Sequence, residues 1–300
     1  MISSKILFIG TVEFSYYALK KILENKFEIC GVITKEKSKF NSDFKDLTPL
    51  CYKHDIPFYF DKKDASTTKE EFINSVKPDV IYCFGWSYLL PERILSIPKH
   101  GVVGFHPAKL PYNRGRHPII WALILGLNQT GSSFFIMDEG ADTGDIISQE
   151  LIDIKFEDDA ASLYEKIKII ALEQIVEFTK SLHNKGSFTI IATQNADDGN
   201  SWRKRKIEDG LIDFRMSSMA LYNLIRGLTK PYPGAHLIHN GLEIKVWKSS
   251  ISDENYEQNI EPGKVLDLKG SEVVVKTYDG AIILESHEFT VLPKKDTYLI

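Results

Sequence analysis

From residue 5 to about residue 190 the chain alternates short apolar runs with amphipathic stretches, and few folds satisfy that alternation. KILFIG (5–10), EICGVIT (28–34), PFYF (57–60) and DVIYCFG (79–85) read as strands. Between and after them, SYYALKKILEN (15–25), LTPLCYKHD (47–55), KEEFINSVK (69–77) and PERILSIP (91–98) read as helices. Strands that are apolar on both faces, separated by helices, predict an α/β fold with a mostly parallel sheet covered on both sides. In such sheets ligands collect at the carboxyl ends of the strands. Gly10-Thr11, Gly85-Trp86 and His106, which ends the run GVVGFH, are therefore expected on one rim. GSSFFIMD (131–138) and IISQELIDI (146–154) continue the strand series. Ile119, Ile120, Trp121, Leu123 and Ile124 recur as a helix requires. The stretch 158–184 predicts the longest helix, with Asp158 or Asp159 as its N-cap.

Beyond that helix the pattern changes. NADDGNSWRKRKIEDG (195–210) is polar and carries the one strong basic cluster, so residues 195–207 are expected to link a domain of residues 1–194 to one of residues 208–300. After a short helix at 219–228, alternating runs such as GLEIKVWKSS and SEVVVKTYDG, with turn glycines between them, predict a small antiparallel barrel. A dimer contact is available to that barrel. The net charge of −4 argues against nucleic acid as the main partner. Three cysteines, Cys30, Cys51 and Cys83, have neither metal-ligand spacing nor disulfide parity, so no metal is expected and a reducing cytoplasm is. MISSKILFIG reads as a strand and not as a signal peptide, and no apolar run approaches the ~20 residues that span a bilayer.

Chemistry concentrates in a few places. An imidazole just past an apolar strand, His106, suits proton transfer near neutrality. The loop DEGADTGD (138–145) offers Asp138, Glu139, Asp142 and Asp145, with Asp142 best placed to turn inward because a glycine follows closely; the spacing fails as a calcium loop. Arg114 and Arg116 either pin loops through backbone carbonyls or recognise phosphate or carboxylate. In FGWSYLLPERIL (84–95), Trp86 and Tyr88 either belong to the core or wall a slot for a flat heterocycle. The cluster WRKRK (202–206) is either a solvated linker or a face for a polyanionic substrate.

The succession FHPAKLP, RGRHPIIWAL and GADTGDIISQ resembles the formyltransferases that use 10-formyltetrahydrofolate, among them methionyl-tRNA formyltransferase and the nucleotide-sugar N-formyltransferases. FIGTVEFSYYALKKIL, RKIEDGLIDF and LIRGLTKPYPGA extend the resemblance along almost the whole chain. It implies a Rossmann-like N-terminal domain and an OB-like C-terminal domain. It also implies His106 and Asp142 as the catalytic pair and formyl transfer from 10-formyltetrahydrofolate to an amine, with no metal. The folate would lie against Phe84, Trp86, Tyr88, Leu89, Leu90 and Asp138. Gly10, Thr11, Arg114, Arg116, Trp202 and Arg203 would face the acceptor. SDFKDL (42–47), NRGRHPIIWALILGL and NSWRKRKIEDGLIDF look closer to the sugar branch. The expected acceptor is thus an amino sugar, nucleotide-linked and destined for surface glycans, with tRNA or mere folate binding as alternatives.

One position departs from the family motif of asparagine, any residue, histidine: here it is Gly104, Phe105, His106. The asparagine that would polarise the formyl oxygen is absent, and loss of one such donor lowers rates on the order of 10²–10³. Either another group fills the space or the site is weak; a substitute is expected.

Overall fold

A computed structural model describes residues 4–37, 43–62, 68–195 and 197–299. Ser42 of the 42–47 stretch, position 196 of the expected linker and the end positions 1–3 and 300 lie outside the described residues. The chain divides into two compact units. One comprises Met1–Gly115, Thr130–Ile152 and Lys166–Trp202; the other comprises Arg116–Gln129, Asp153–Glu165 and Arg203–Ile300.

The first unit is built on a seven-stranded sheet. Its strands are β1 (Ile6–Ile9), β2 (Ile29–Thr34), β3 (Phe58–Phe60), β4 (Val80–Cys83), β5 (Val102–His106), β7 (Gln129–Ile136) and β8 (Ile146–Asp153), in the order β3-β2-β1-β4-β5-β7-β8. Pairs from β3 through β5 are parallel, and β5 meets β7 antiparallel. The sheet is thus the mostly parallel one that the apolar runs predict, and β1 and β4 are fully buried along their length. The strand order reverses between β1 and β4, which makes their carboxyl ends the crevice where such sheets bind ligands. The register puts Ile9 beside Cys83 and Cys83 beside Gly104, so His106 projects two residues beyond that line.

Helix α1 (Glu13–Glu24) follows β1 and buries Phe14, Ala18, Leu19 and Ile22, the 3–4 spacing that the sequence displays; α2 (Thr48–Lys53), α3 (Lys69–Val76) and α4 (Glu92–Leu95) follow β2, β3 and β4. Val12, at its N-cap, has no polar side chain. Ser15 replaces the missing cap: its Oγ accepts from Thr11 N (3.2 Å) and Val12 N (3.1 Å) and donates to Phe84 O (2.6 Å). One fully buried hydroxyl therefore ties the end of β1 to the end of β4.

In the second unit, β10 (Ala235–His239), β11 (Leu242–Ile251), β12 (Val265–Lys269), β13 (Glu272–Lys276) and β14 (Ala281–His287) form an antiparallel sheet in the order β10-β11-β14-β13-β12. Helix α7 (Ser218–Leu228) packs Leu221, Leu224, Ile225 and Leu228 into a core with Val246, Val273, Val275, Ile282 and Leu284. Ile120 of α5 (Pro118–Ile124) joins the same core. Arg226 of α7 is 9% exposed, and its Nη1 donates to the carbonyls of Lys155 (3.1 Å), Phe156 (3.0 Å) and Asp158 (2.9 Å). A buried guanidinium needs such acceptors, and meeting them brings residues 153–165 into this unit. The long helix, α6 (Ala160–Lys185), opens with Asp159 Oδ1 accepting from Ser162 N at 2.9 Å, as an N-cap should.

Ser15→Ala should strand two buried N–H groups and one carbonyl. Chemical denaturation should show a loss of ~2–3 kcal/mol, given ~1–3 kcal/mol for a buried group left unsatisfied. A loss below ~0.5 kcal/mol would show that the Ser15 tie contributes little.

Candidate active site

His106 ends β5 and is 4% exposed. Its Nε2 lies 2.7 Å from the backbone oxygen of Asn113. A carbonyl only accepts, so Nε2 carries the proton of this bond and Nδ1 is the nitrogen left for chemistry. Nδ1 faces Asp142 Oδ2 at 3.5 Å, and that carboxylate keeps 20% of its side-chain surface exposed. The imidazole is therefore held from behind by a carbonyl and opens toward a carboxylate.

Asp142 owes its direction to its backbone. Its φ is +61°, a left-handed conformation that aspartate and asparagine tolerate better than most residues. Its Oδ2 also accepts from Gly115 N (3.0 Å), and its backbone oxygen accepts from Gln194 Nε2 (3.1 Å). The same Gln194 nitrogen reaches Gly144 O at 2.6 Å. A Cβ on Gly144 would fall 1.7 Å from Ile136 O, so no other residue fits at that turn. Asp138 braces the loop from the other side, accepting from Gly140 N (3.0 Å) and Thr143 Oγ1 (2.6 Å). Its carboxylate thus shapes the loop, a job different from the folate contact that the resemblance implies.

Arg114 takes the first of its two alternatives. It is 6% exposed and belongs to the two-residue strand β6 (Arg114–Gly115), parallel to β9 (Ser201–Trp202). Its Nε and Nη2 donate to Gln194 Oε1 (3.2 and 2.9 Å), Nη1 to Asp198 O (3.0 Å) and Nη2 to Asn195 O (3.1 Å). Part of the expected linker, 195–202, is thereby strapped to the first unit. Gly115 has φ +97° and a Cβ there would meet Trp202 O at 2.4 Å, so Trp202 backs the turn that presents an N–H to Asp142. The sequence reading missed Asn113, Gln194 and this strap. The signal available was a run of amides, Gln194-Asn195 and Asn200, whose side chains can bond to nearby backbone.

The remaining expected residues separate into buried and accessible sets. Phe84 is fully buried between Phe8 and Phe134, and Leu90 lies in the core with Leu7 and Ile94. Tyr88 and Leu89 are 55% and 61% exposed, and Trp86 is half-buried. Of the 84–90 loop, only these last three can wall a slot. Gly10 and Thr11 have no free N–H for a phosphate: Gly10 N donates to Ile33 O (3.0 Å) and Thr11 N to Ser15 Oγ. Arg116 and Arg203 are exposed residues of the second unit. Burial pushes the thiol of Cys30 up to about 11 and those of Cys51 and Cys83 to about 12, so none is a nucleophile near neutrality. Among the described residues, no cluster of three or more metal-ligating side chains occurs and no helix is long and apolar enough to cross a membrane.

Gly104 resolves the question that its missing side chain raises. A Cβ built there would lie 2.7 Å from Phe135 Cζ and 2.9 Å from Met137 Cγ. The space is filled, by apolar atoms and not by a polar substitute. Gly104→Asn should consequently lose ~1–3 kcal/mol of stability in chemical denaturation, through overpacking, and turnover should fall with it. Unchanged stability together with faster turnover would show that the space is open to the amide.

Comparison with known proteins bears on the family and the fold. Residues 4–179 match the family described as formyl transferase, and residues 204–292 match the formyl transferase C-terminal domain. A methionyl-tRNA formyltransferase of Clostridioides difficile (strain 630) is 30% identical over 99% of this chain and 94% of its own length. The bifunctional polymyxin resistance protein ArnA of Wigglesworthia glossinidia brevipalpis is 34% identical over 88% of this chain but only 40% of its own. Among solved structures, an N-formyltransferase from Helicobacter canadensis, in complex with folinic acid and dTDP-3-aminofucose, superposes with a TM-score of 0.71 at 21% identity, covering 95% of this chain and 99% of that one. The chain belongs to the formyl transferase family.

Proposed function

We propose that this protein transfers the formyl group of 10-formyltetrahydrofolate to the amine of an amino sugar linked to a nucleotide, in the cytoplasm and for surface glycans. The observation that carries formyl transfer is the His106–Asp142 pair at the carboxyl end of β5. The folate supplies the formyl carbon as electrophile. Its fit is tested by Trp86, whose buried Nε1–H has no hydrogen-bond partner among the described residues. That donor, next to the exposed Tyr88 and Leu89, suits a flat heterocycle rich in acceptors.

The residues divide the proton work by geometry. Asn113 O holds Nε2–H, so the amine's proton is received on the other side of the ring, between Nδ1 and Asp142 Oδ2. Asp142, fixed by Gly115 N, keeps the ring oriented and stabilises positive charge on it. With Phe135 and Met137 in place of a polar side chain, any donor to the formyl oxygen has to come from elsewhere than position 104.

The amino-sugar reading is supported by the net charge of −4 and by the RGRHPIIWALILGL stretch. The Helicobacter canadensis enzyme, solved with an amino-sugar nucleotide, has the same fold. A second reading, methionyl-tRNA as acceptor, is favoured by the full-length likeness to methionyl-tRNA formyltransferases. Incubation of amino-sugar nucleotides and of charged initiator tRNA with the formyl donor separates them. Mass spectrometry should show one carbonyl gained on a sugar nucleotide and none on the aminoacyl-tRNA; the reverse would establish the tRNA reading.

In the same assay, His106→Ala should lower turnover by ~10²–10⁴ with folate binding little changed. Near-normal turnover in a folded variant would remove His106 from the mechanism. Asp142→Asn preserves the left-handed backbone and an acceptor for Gly115 N, so folding should persist while turnover drops. If Asp138→Asn proved the more damaging change catalytically, the carboxylate would have been misassigned.

A further inference from the structure

Helix α5 of the second unit starts at a histidine in an awkward setting. His117 caps the helix with φ +57°, its ring is half-buried, and its Nδ1 is buried without a hydrogen-bond partner among the described residues. One turn on, the Trp121 N–H donates to His117 O (3.0 Å), and the Trp121 indole Nε1 donates to Arg203 O (3.0 Å). The indole ring carries the Arg205 guanidinium at 4.9 Å and that of Arg203 at 5.3 Å. Trp121 thus fixes the 203–205 stretch against the helix that His117 begins.

The fields acting on His117 come mostly from cations. Burial comes first in holding the His117 imidazole below its usual pKa, followed by the fields of Arg116, Arg205 and Lys204, with Asp209 opposing. Asp209 is already engaged: it accepts both Arg203 Nη1 (2.7 Å) and Arg203 Nη2, and also Lys206 N (2.7 Å). Three cations therefore act on an imidazole whose Nδ1 has no partner among the described residues, and the opposing carboxylate is bound to a fourth. A buried polar atom left alone costs ~1–3 kcal/mol, and crowded cations add repulsion. An anion relieves both.

We propose that His117, Arg116, Lys204 and Arg205 form a binding site for a phosphoryl dianion, namely the diphosphate of a nucleotide-linked acceptor. The identity of the acceptor rests on the function proposed above; the anion site does not. Guanidinium and imidazole N–H groups are the donors that such oxygens take. Protonation and anion binding at His117 reinforce one another. Its pKa is low in the free protein and is raised by a bound dianion, so affinity increases as pH falls through the bound-state pKa and levels off below the free one.

Sulfate, whose charge is constant from pH 8 to pH 5.5, reads this linkage directly by titration calorimetry. The unaltered protein should bind sulfate ~3–10-fold more tightly at the lower pH, and His117→Gln should remove the pH dependence, since one linked proton gives at most tenfold per pH unit. dTDP should bind, thymidine should not, and sulfate should displace dTDP. Arg205→Met should weaken dTDP ~10-fold or more, and Lys204→Gln, at an exposed position, should weaken it as well without touching the fold. Sulfate binding that is absent, or independent of both pH and His117, would overturn the site. An RNA hairpin bound more tightly than dTDP through these same residues would overturn the diphosphate assignment. A protein that passes the sulfate test yet formylates no sugar nucleotide keeps the anion site and loses the acceptor.

Discussion

A buried guanidinium must be surrounded by oxygens, and the end of the first unit that carries His106 is organised around meeting that demand for Arg114. Gln194, Asn195 and Asp198 come to it from 80 to 84 residues away in the chain. Gln194 then turns its own amide toward the carbonyls of Asp142 and Gly144, and β6 delivers Gly115 N to the Asp142 carboxylate. The orientation of the carboxylate facing His106 is thus a consequence of how one arginine is satisfied. An isolated buried charge is costly enough that this arrangement has few alternatives.

The same strand that ends in His106 shows the opposite solution two residues earlier. At Gly104 the chain has given up a side chain and lets Phe135, its cross-strand partner, and Met137 close over the backbone. Apolar packing there stabilises β5 between β4 and β7 while leaving no polar group at a position where the family motif carries one. Gly104 and His106 lie two residues apart and so share one face of β5; the apolar closure over Gly104 therefore sits on the same side of the strand as the His106–Asp142 pair.

Much of this was legible in the sequence for physical reasons. Strands apolar on both faces can only be central, so the runs 5–10, 28–34 and 79–85 announced the parallel sheet, and strand ends announced where His106 and Gly85 would lie. The Asp159 cap was visible because it acts locally, whereas Arg226 clamps carbonyls about seventy residues away and leaves no local pattern. The strap from 194 to 202 was not legible at all. Its hydrogen bonds join residues distant in sequence, and a polar stretch looks the same whether its amides meet water or backbone. For Arg114 the residue type allowed both pinning and recognition, and only burial chose between them.

Gln194 and the Ser201–Trp202 strand also bear on where this protein can be divided. The family's N-terminal match ends at residue 179, a natural-looking place to cut a catalytic fragment. Such a fragment would leave Arg114 inside the fold with none of its hydrogen-bond acceptors named above, and would take the Gln194 amide away from the carbonyls of Asp142 and Gly144. A piece that retains the surroundings of Arg114 and Asp142 must extend at least through Trp202, well past Lys185 at the end of α6.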